Sequence, residues 1–300
     1  MRYADLYAQG KTALERAEIA EAALDARLLL EFVCQTDRTT LFAHPEKEVS
    51  AQEQKRFEEM ITKRAEHIPL QHLTGQQDFM GLEFLVNEHV LIPRQDTEIL
   101  VEEVMRDLHD GVHILDMCTG SGCILLSLLH YSNDTTGIGV DLSQEALKVA
   151  KANAEKLGLA GDVERMGNSA ANMDAFADQP RARFVQSDLF EAIDEQFDII
   201  VSNPPYIRTD VIETLMPEVR DHDPRMALDG TADGLYFYRK IIEESEKYLK
   251  RGGQLFFEIG HDQAEDVVTL MQRHGYKEIE VKKDYAGLDR VVYGTFLGGK

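Results

Sequence analysis

The chain has 300 residues, 43% hydrophobic and 29% charged, the composition of an ordinary globular protein with room for two domains. It carries 32 Lys and Arg against 54 Asp and Glu, a net charge of −22, which argues against the basic surface of a nucleic-acid binder and favours a protein or small-molecule partner. No apolar run reaches the ~18 residues of a transmembrane helix, the start lacks a signal-peptide core, and three scattered cysteines fit neither a disulfide framework nor a zinc cluster, so a cytoplasmic protein with no membrane and no metal is expected.

Residues 1–74 read as a small helical domain. Ala22–Val33 is rich in helix formers with apolar residues three and four apart. A break follows at Thr36–Pro45, then Ser50-Ala51-Gln52-Glu53 has the form of a capping box that opens a helix towards His67, ended by Pro69. Residues 75–95 change character. Asp78–Val86, with Asn87-Glu88 as its turn, reads as a β-hairpin linker that leads into Leu91-Ile92-Pro93-Arg94-Gln95. Asp96 or Thr97 is then expected to cap a helix over Ile99–Leu108.

Residues 96–300 alternate strand and helix, the signature of a mostly parallel sheet covered on both faces. Strands are expected at His113–Met117, Thr136–Asp141, Arg183–Asp188, Phe197–Ser202 and Gln254–Ile259, with Tyr276–Lys283 and Arg290–Leu297 as a closing antiparallel pair. Helices are expected at Ile124–His130, from Ser143 to Leu157, at Asp233–Lys250 with Gly252-Gly253 beyond, and up to His274. The polar stretch Gly161–Gln179 reads as a surface loop.

Two places concentrate chemistry. Asp116-Met117-Cys118-Thr119-Gly120-Ser121-Gly122-Cys123 follows the first strand, where glycines permit a tight turn and close ligand approach. Asp141, ending the second strand 19 residues after Gly122, stands where a carboxylate accepts ribose hydroxyls; the alternative, that it only caps the next helix, stands beside this. Asp188 ends the third strand and could reach an adenine amino group. The pattern is neither G-x-G-x-x-G nor a P-loop, and acids around it suit a phosphate-free cofactor: S-adenosylmethionine fits better than NAD or ATP. The second place is Asn203-Pro204-Pro205-Tyr206 at the end of Phe197–Ser202. Prolines stop the strand and restrict the backbone before them, leaving a rigid platform of amide, free carbonyls and an aromatic ring.

With these motifs the chain resembles the PrmC/HemK family, methyltransferases that modify the glutamine of the Gly-Gly-Gln motif in class 1 peptide release factors. The likeness takes in the helical front end, Leu73-Thr74-Gly75, Phe79-Met80-Gly81-Leu82, Ile92-Pro93-Arg94 with Thr97-Glu98, Asp116–Gly122, Asp141, Ser187-Asp188-Leu189-Phe190, Val201–Ile207, Phe257-Glu258-Ile259-Gly260 and Asp284–Arg290. It implies a Rossmann-like class I fold of seven strands, the last pair antiparallel, with a substrate-recognising N-terminal domain. It implies cofactor contacts from Cys118, Thr119, Gly120, Ser121, Gly122, Asp141, Asp188, Leu189 and Asn203, and a glutamine held by Asn203, Pro204, Pro205 and Tyr206, of which Asn203, Pro204 and Tyr206 serve catalysis. S-adenosyl-L-homocysteine is the implied product, and a class 1 release factor the implied partner. The Asn-Pro-Pro-Tyr motif is shared with DNA adenine methyltransferases, so N6-adenine methylation is the alternative activity. Two departures stand out: Cys118 replaces the family's usual glycine, which is costly if the position needs positive φ, and Gln95 replaces a usual proline, which is expected to loosen the linker.

Overall fold

The computed structural model describes residues 1–160 and 181–298; the predicted Gly161–Gln179 loop lies outside them. The chain forms two compact units, one of residues 1–76 with 216–222, the other of residues 77–215 with 223–298.

The first unit is helical: α1 (Tyr3–Arg16), α2 (Ala22–Cys34), α3 (Arg38–Ala43), α4 (Ala51–Ala65) and α5 (Leu70–Thr74). Leu6, Leu14, Leu29, Leu30 and Phe57 fill its core. The capping box forms as expected: the Ser50 hydroxyl accepts the Glu53 N–H at 3.2 Å, and the Glu53 carboxylate accepts the Ser50 N–H at 3.0 Å. The predicted break at Thr36–Pro45 instead contains α3, nucleated by Asp37, whose carboxylate accepts the Thr40 N–H at 2.7 Å. Arg64 is buried with Asp25 at 2.7 Å and with Glu218, which returns to this unit from far along the chain.

The second unit opens with a two-stranded hairpin, β1 (Gln76–Phe79) and β2 (Leu82–Leu85), whose first residue belongs to the other unit. Its turn is Met80-Gly81, both at positive φ, and not the predicted Asn87-Glu88. Tertiary bonds hold Met80 there: its N–H donates to Glu98 Oε1 at 2.7 Å and its carbonyl accepts the Tyr131 hydroxyl at 2.6 Å. Helix α6 (Gln95–Asp107) starts earlier than predicted, with Arg94 at the N-cap and Asp96 and Thr97 inside the first turn. Gln95 is thus the first helical residue, where proline is favoured for its preset φ but no intrahelical N–H bond is at stake.

The elements β3 (His113–Met117), α7 (Cys123–His130), β4 (Thr136–Asp141), α8 (Gln144–Lys156), β5 (Ala182–Gln186) and β6 (Phe197–Ser202) then alternate. Three short helices follow: α9 (Thr209–Ile212), α10 (Pro217–His222, counted with the first unit) and α11 (Arg225–Leu228). The chain closes with α12 (Tyr236–Ser245), β7 (Leu249–Glu258), α13 (Ala264–Arg273), β8 (Tyr276–Lys283) and β9 (Asp289–Phe296). Helix α12 is shorter than the predicted Asp233–Lys250, because Leu249 pairs with Phe197 of β6, and Gly252-Gly253 lie inside β7. The sheet runs β5-β4-β3-β6-β7-β9-β8, parallel except for β9, which is antiparallel to both its neighbours. One apolar layer covers each face, with Leu100, Val104, Leu125 and Leu128 of α6 and α7 in one and Tyr238, Ile241, Val267 and Met271 of α12 and α13 in the other. Burial on both faces explains the nearly unbroken apolar runs of β3 and β6. Strand order reverses between β3 and its neighbours β4 and β6, and such a switch point leaves a crevice at the carboxyl ends of the strands.

Candidate active site

The glycine turn between β3 and α7 forms one wall of that crevice. Cys118, Gly120 and Gly122 have φ of +62°, +56° and +79°. A Cβ on Gly122 would lie 3.1 Å from Leu126 and 3.3 Å from Ala150, so this glycine serves close approach as well as φ. The Thr119 N–H donates to the Val140 carbonyl at 2.9 Å, tying the turn to β4. Beneath it, buried Asp116 accepts the Thr119 hydroxyl at 2.6 Å and the Leu125 N–H at 3.3 Å through Oδ2. Desolvation outweighs those bonds and pushes its pKa up to about 7, with the Asp141 charge adding to the rise. Burial likewise pushes the Cys118 thiol far up, so it is neutral.

Asp141, at the end of β4, accepts the Gly120 N–H at 2.9 Å through Oδ2 and the Ser143 N–H at 2.8 Å through Oδ1. The cap of α8 is Ser143, whose hydroxyl accepts the Ala146 N–H at 3.2 Å; Asp141 braces the glycine turn. Its pKa is raised, by desolvation first. Past β5, Ser187 is buried, Asp188 is exposed, and Leu189 takes a φ of +48°.

At the end of β6, the Ser202 hydroxyl donates to the Met117 carbonyl at 2.6 Å, and Asn203 Nδ2 donates to Thr97 Oγ1 at 3.4 Å. That contact engages one N–H of the amide nitrogen, and among the described residues no hydrogen bond reaches the side-chain oxygen. Pro204 and Pro205 are buried. The Tyr206 backbone is clamped: its carbonyl accepts Gln263 Nε2 at 3.1 Å, and Cβ atoms on Gly230 or Gly234 would fall 2.7 Å from its Cα or 2.4 Å from its carbonyl oxygen. Gln263 also donates to the Gly234 carbonyl at 3.2 Å and accepts the Gly260 N–H at 2.9 Å. The Tyr206 hydroxyl donates to Glu258 Oε1 at 3.3 Å, and burial raises the phenol's pKa.

These walls enclose a cavity of about 370 Å³. Of the residues singled out from the sequence, Cys118, Thr119, Gly120, Ser121, Asp141, Asp188, Leu189, Asn203 and Pro205 line it, whereas Gly122, Pro204 and Tyr206 are not among its lining residues. Leu91 lines it too; Phe79 sits in the apolar core. Sequence reasoning did not single out Phe237, Ala227, Asp229 or Thr231, which also line it, nor the supports Gln263 and Glu258. Thr97 had been visible as a helix-cap candidate and Glu258 only as part of the family resemblance. Arg94 and His89 are the basic side chains among the described lining residues, and Arg94 is already paired with Asp223 at 2.7 Å. The donor set therefore suits a ligand that is apolar and hydroxylated and carries no phosphates.

Residues 5–75 match the family model described as the PrmC N-terminal domain, and residues 108–287 match a methyltransferase domain. The release factor glutamine methyltransferase of Agrobacterium fabrum is 40% identical over 285 residues, covering 93% of this chain and 92% of that protein. That of Clostridium acetobutylicum is 40% identical over 273 residues, 89% of each. The solved protein-(glutamine-N5) methyltransferase (release factor-specific) of Alicyclobacillus acidocaldarius is 29% identical, covers 71% of this chain and 99% of that one, and has a TM-score of 0.39. Likeness at this level to relatives matched nearly end to end means that the chain belongs to the release factor glutamine methyltransferase family.

Proposed function

We propose that the protein methylates the side-chain amide nitrogen of the glutamine in the Gly-Gly-Gln motif of class 1 peptide release factors, in the cytoplasm, with S-adenosylmethionine as donor. Residues 1–74 serve substrate recognition, 75–95 link, and 96–300 carry the chemistry. Nucleic acid is not a partner; among the described residues no helix is long and apolar enough to cross a membrane.

The observation that carries this reading is the Asn203 amide, whose nitrogen is engaged by Thr97 while its oxygen has no hydrogen bond among the described residues, on the wall of the phosphate-averse cavity. The cavity fits the cofactor: the glycine turn allows close approach of the methionine portion, Asp141 takes the ribose, and Asp188 with Leu189 the adenine. When bound, S-adenosylmethionine supplies an electrophilic methyl group and is left as S-adenosyl-L-homocysteine. A carboxamide nitrogen is a weak nucleophile, because its lone pair is delocalised into the carbonyl. Asn203 Oδ1 and the Pro204 carbonyl can each accept one of its N–H groups and aim the lone pair into the cavity. Alignment of this kind contributes up to about 7–11 kcal/mol of a barrier in favourable cases. As the N–C bond forms the S–C bond breaks, the sulfonium charge is dispersed, and the proton displaced from the nitrogen leaves afterwards to water. Pro205 and Tyr206 set the platform's shape.

The test is incubation with methyl-labelled S-adenosylmethionine and either a release factor or duplex DNA. Label is expected on the release factor glutamine; label on DNA with none on the release factor would overturn the reading. Asn203→Ala is expected to lower kcat by about a hundredfold or more, the scale of losing an orienting contact, with cofactor affinity retained.

A further inference from the structure

Glu258, the last residue of β7, is a buried acid to which the mechanism above gives no task. Its Oε1 accepts the Tyr206 hydroxyl at 3.3 Å. The Thr97 hydroxyl also faces this carboxyl, whose buried Oε2 has no hydrogen-bond partner among the described residues. Thr97 Oγ1 in turn accepts the Asn203 Nδ2–H at 3.4 Å. Both polar ends of the acceptor platform therefore lead back to one acid. Such contacts are commonly long before substrate binds and tighten in the complex.

The direction of these bonds matters more than their length. A hydroxyl has one proton to give, and an ionised carboxylate can only accept. Beside an ionised Glu258, Thr97 gives its proton to the acid and keeps a lone pair for Asn203. Asn203 must then turn its nitrogen to Thr97, and its oxygen is what remains for the substrate N–H. A protonated or amidated group at 258 can donate to Thr97 instead. The Thr97 proton is then free for Asn203, and the flipped amide would present a second donor to a substrate that is itself a donor.

We propose that Glu258 is a positioning residue for methyl transfer: its carboxylate, acting through the Thr97 hydroxyl, fixes the Asn203 amide with its oxygen towards the substrate. The inference rests on the glutamine-methylation reading. The groups that face Glu258 are Asp96 and Thr97 of α6, Cys123 of α7, Tyr206, Tyr238 of α12 and Arg290 of β9, the last paired with Asp284 at 2.9 Å and Asp96 at 3.3 Å. Burial pushes the Glu258 pKa up to about 7, against the opposing pull of Thr97, Arg290 and Tyr206. The orienting, ionised form accordingly gains population as pH rises through about 7.

The experiment is the pH dependence of kcat on a release factor for wild type, Glu258→Gln, Thr97→Val, Thr97→Ser and the double variant Glu258→Gln with Thr97→Val. Wild-type kcat is expected to rise through about pH 7. Glu258→Gln should lose that limb and fall about tenfold or more at pH 8, the scale of one charge-assisted hydrogen bond, with KM for S-adenosylmethionine unchanged. Thr97→Ser should keep the limb and Thr97→Val lose it, and in the Thr97→Val background Glu258→Gln should cost nothing further. A Glu258→Gln enzyme with wild-type kcat and pH limb overturns the proposal, and so do additive losses in the double variant. Should Glu258→Gln fail to fold or bind cofactor, a Thr97→Val enzyme that retains the limb overturns it by itself. Wild type that leaves the release factor unmethylated overturns the glutamine reading instead, so the two failures are distinct.

Discussion

A cysteine at φ +62° carries a steric cost of about 1–2 kcal/mol that glycine avoids. Glycine at position 118 would in turn lose about 0.4–1 kcal/mol through the greater freedom of the unfolded chain. The two effects nearly cancel, so Cys118→Gly should change the urea-unfolding free energy by less than about 1 kcal/mol, whereas β-branched Cys118→Val should lower it by about 2 kcal/mol. At Asp116 the issue is a proton. Its folded pKa of about 7 stands above the ~3.9 of an unfolded aspartate, so between those values the native state holds a proton that the unfolded chain has released. Its stabilising contribution is full below about pH 4 and is lost as pH rises through 7. Asp116→Asn should remove this slope, and its stability relative to wild type should improve between about pH 4 and 7 by up to ~1.4 kcal/mol per unit and level off above, read from urea midpoints. Asn203 was legible in the sequence because two prolines mark where its strand must stop. Glu258 had no local signal of function, since its part depends on Tyr206 and Thr97 reaching it from other elements.

The strands meet closely where β4 carries glycine. A Cβ on Gly139 would lie 2.7 Å from the Phe184 ring and 2.8 Å from Thr119 Oγ1, the hydroxyl that donates to Asp116. Gly139→Ala should therefore displace Thr119, cost about 1–3 kcal/mol in unfolding free energy and weaken S-adenosylmethionine binding measured by calorimetry. Elements made of long buried runs, β3, β4 and β6, could be read directly, because both faces of those strands are apolar. The boundary of α12 could not, since Leu249 is claimed by pairing with Phe197 rather than by any local preference. Helices α9, α10 and α11 span only four to six residues each, too few turns for a 3.6-residue period to appear. The hairpin turn was misplaced because Met80 is held at positive φ by bonds to Glu98 and Tyr131, not by turn chemistry of its own.

At the level of the whole molecule, the helical unit is closed around a buried charge. Arg64 and Asp25 are 5% and 8% exposed in their side chains, and burial raises the Asp25 pKa even beside the guanidinium. Arg64→Met would leave an unpaired buried acid and should cost about 3–5 kcal/mol, read as a fall in melting temperature; adding Asp25→Leu should recover most of it. Two tiers of fold, a helical front and an alternating α/β remainder, were readable from periodicity and composition. That the front would take back residues 216–222 was not, because α10 has no feature distinguishing it from the turns around it.

The return of residues 216–222 bears on how the protein can be recombined. The backbone passes between the two units three times, at 76/77, 215/216 and 222/223, so the front is an assembly of two separate stretches of gene. A chimera that exchanges only residues 1–76 with a relative would set an inherited Arg64 pocket against a foreign partner at 218. Grafting substrate preference from one family member to another calls for moving both stretches together.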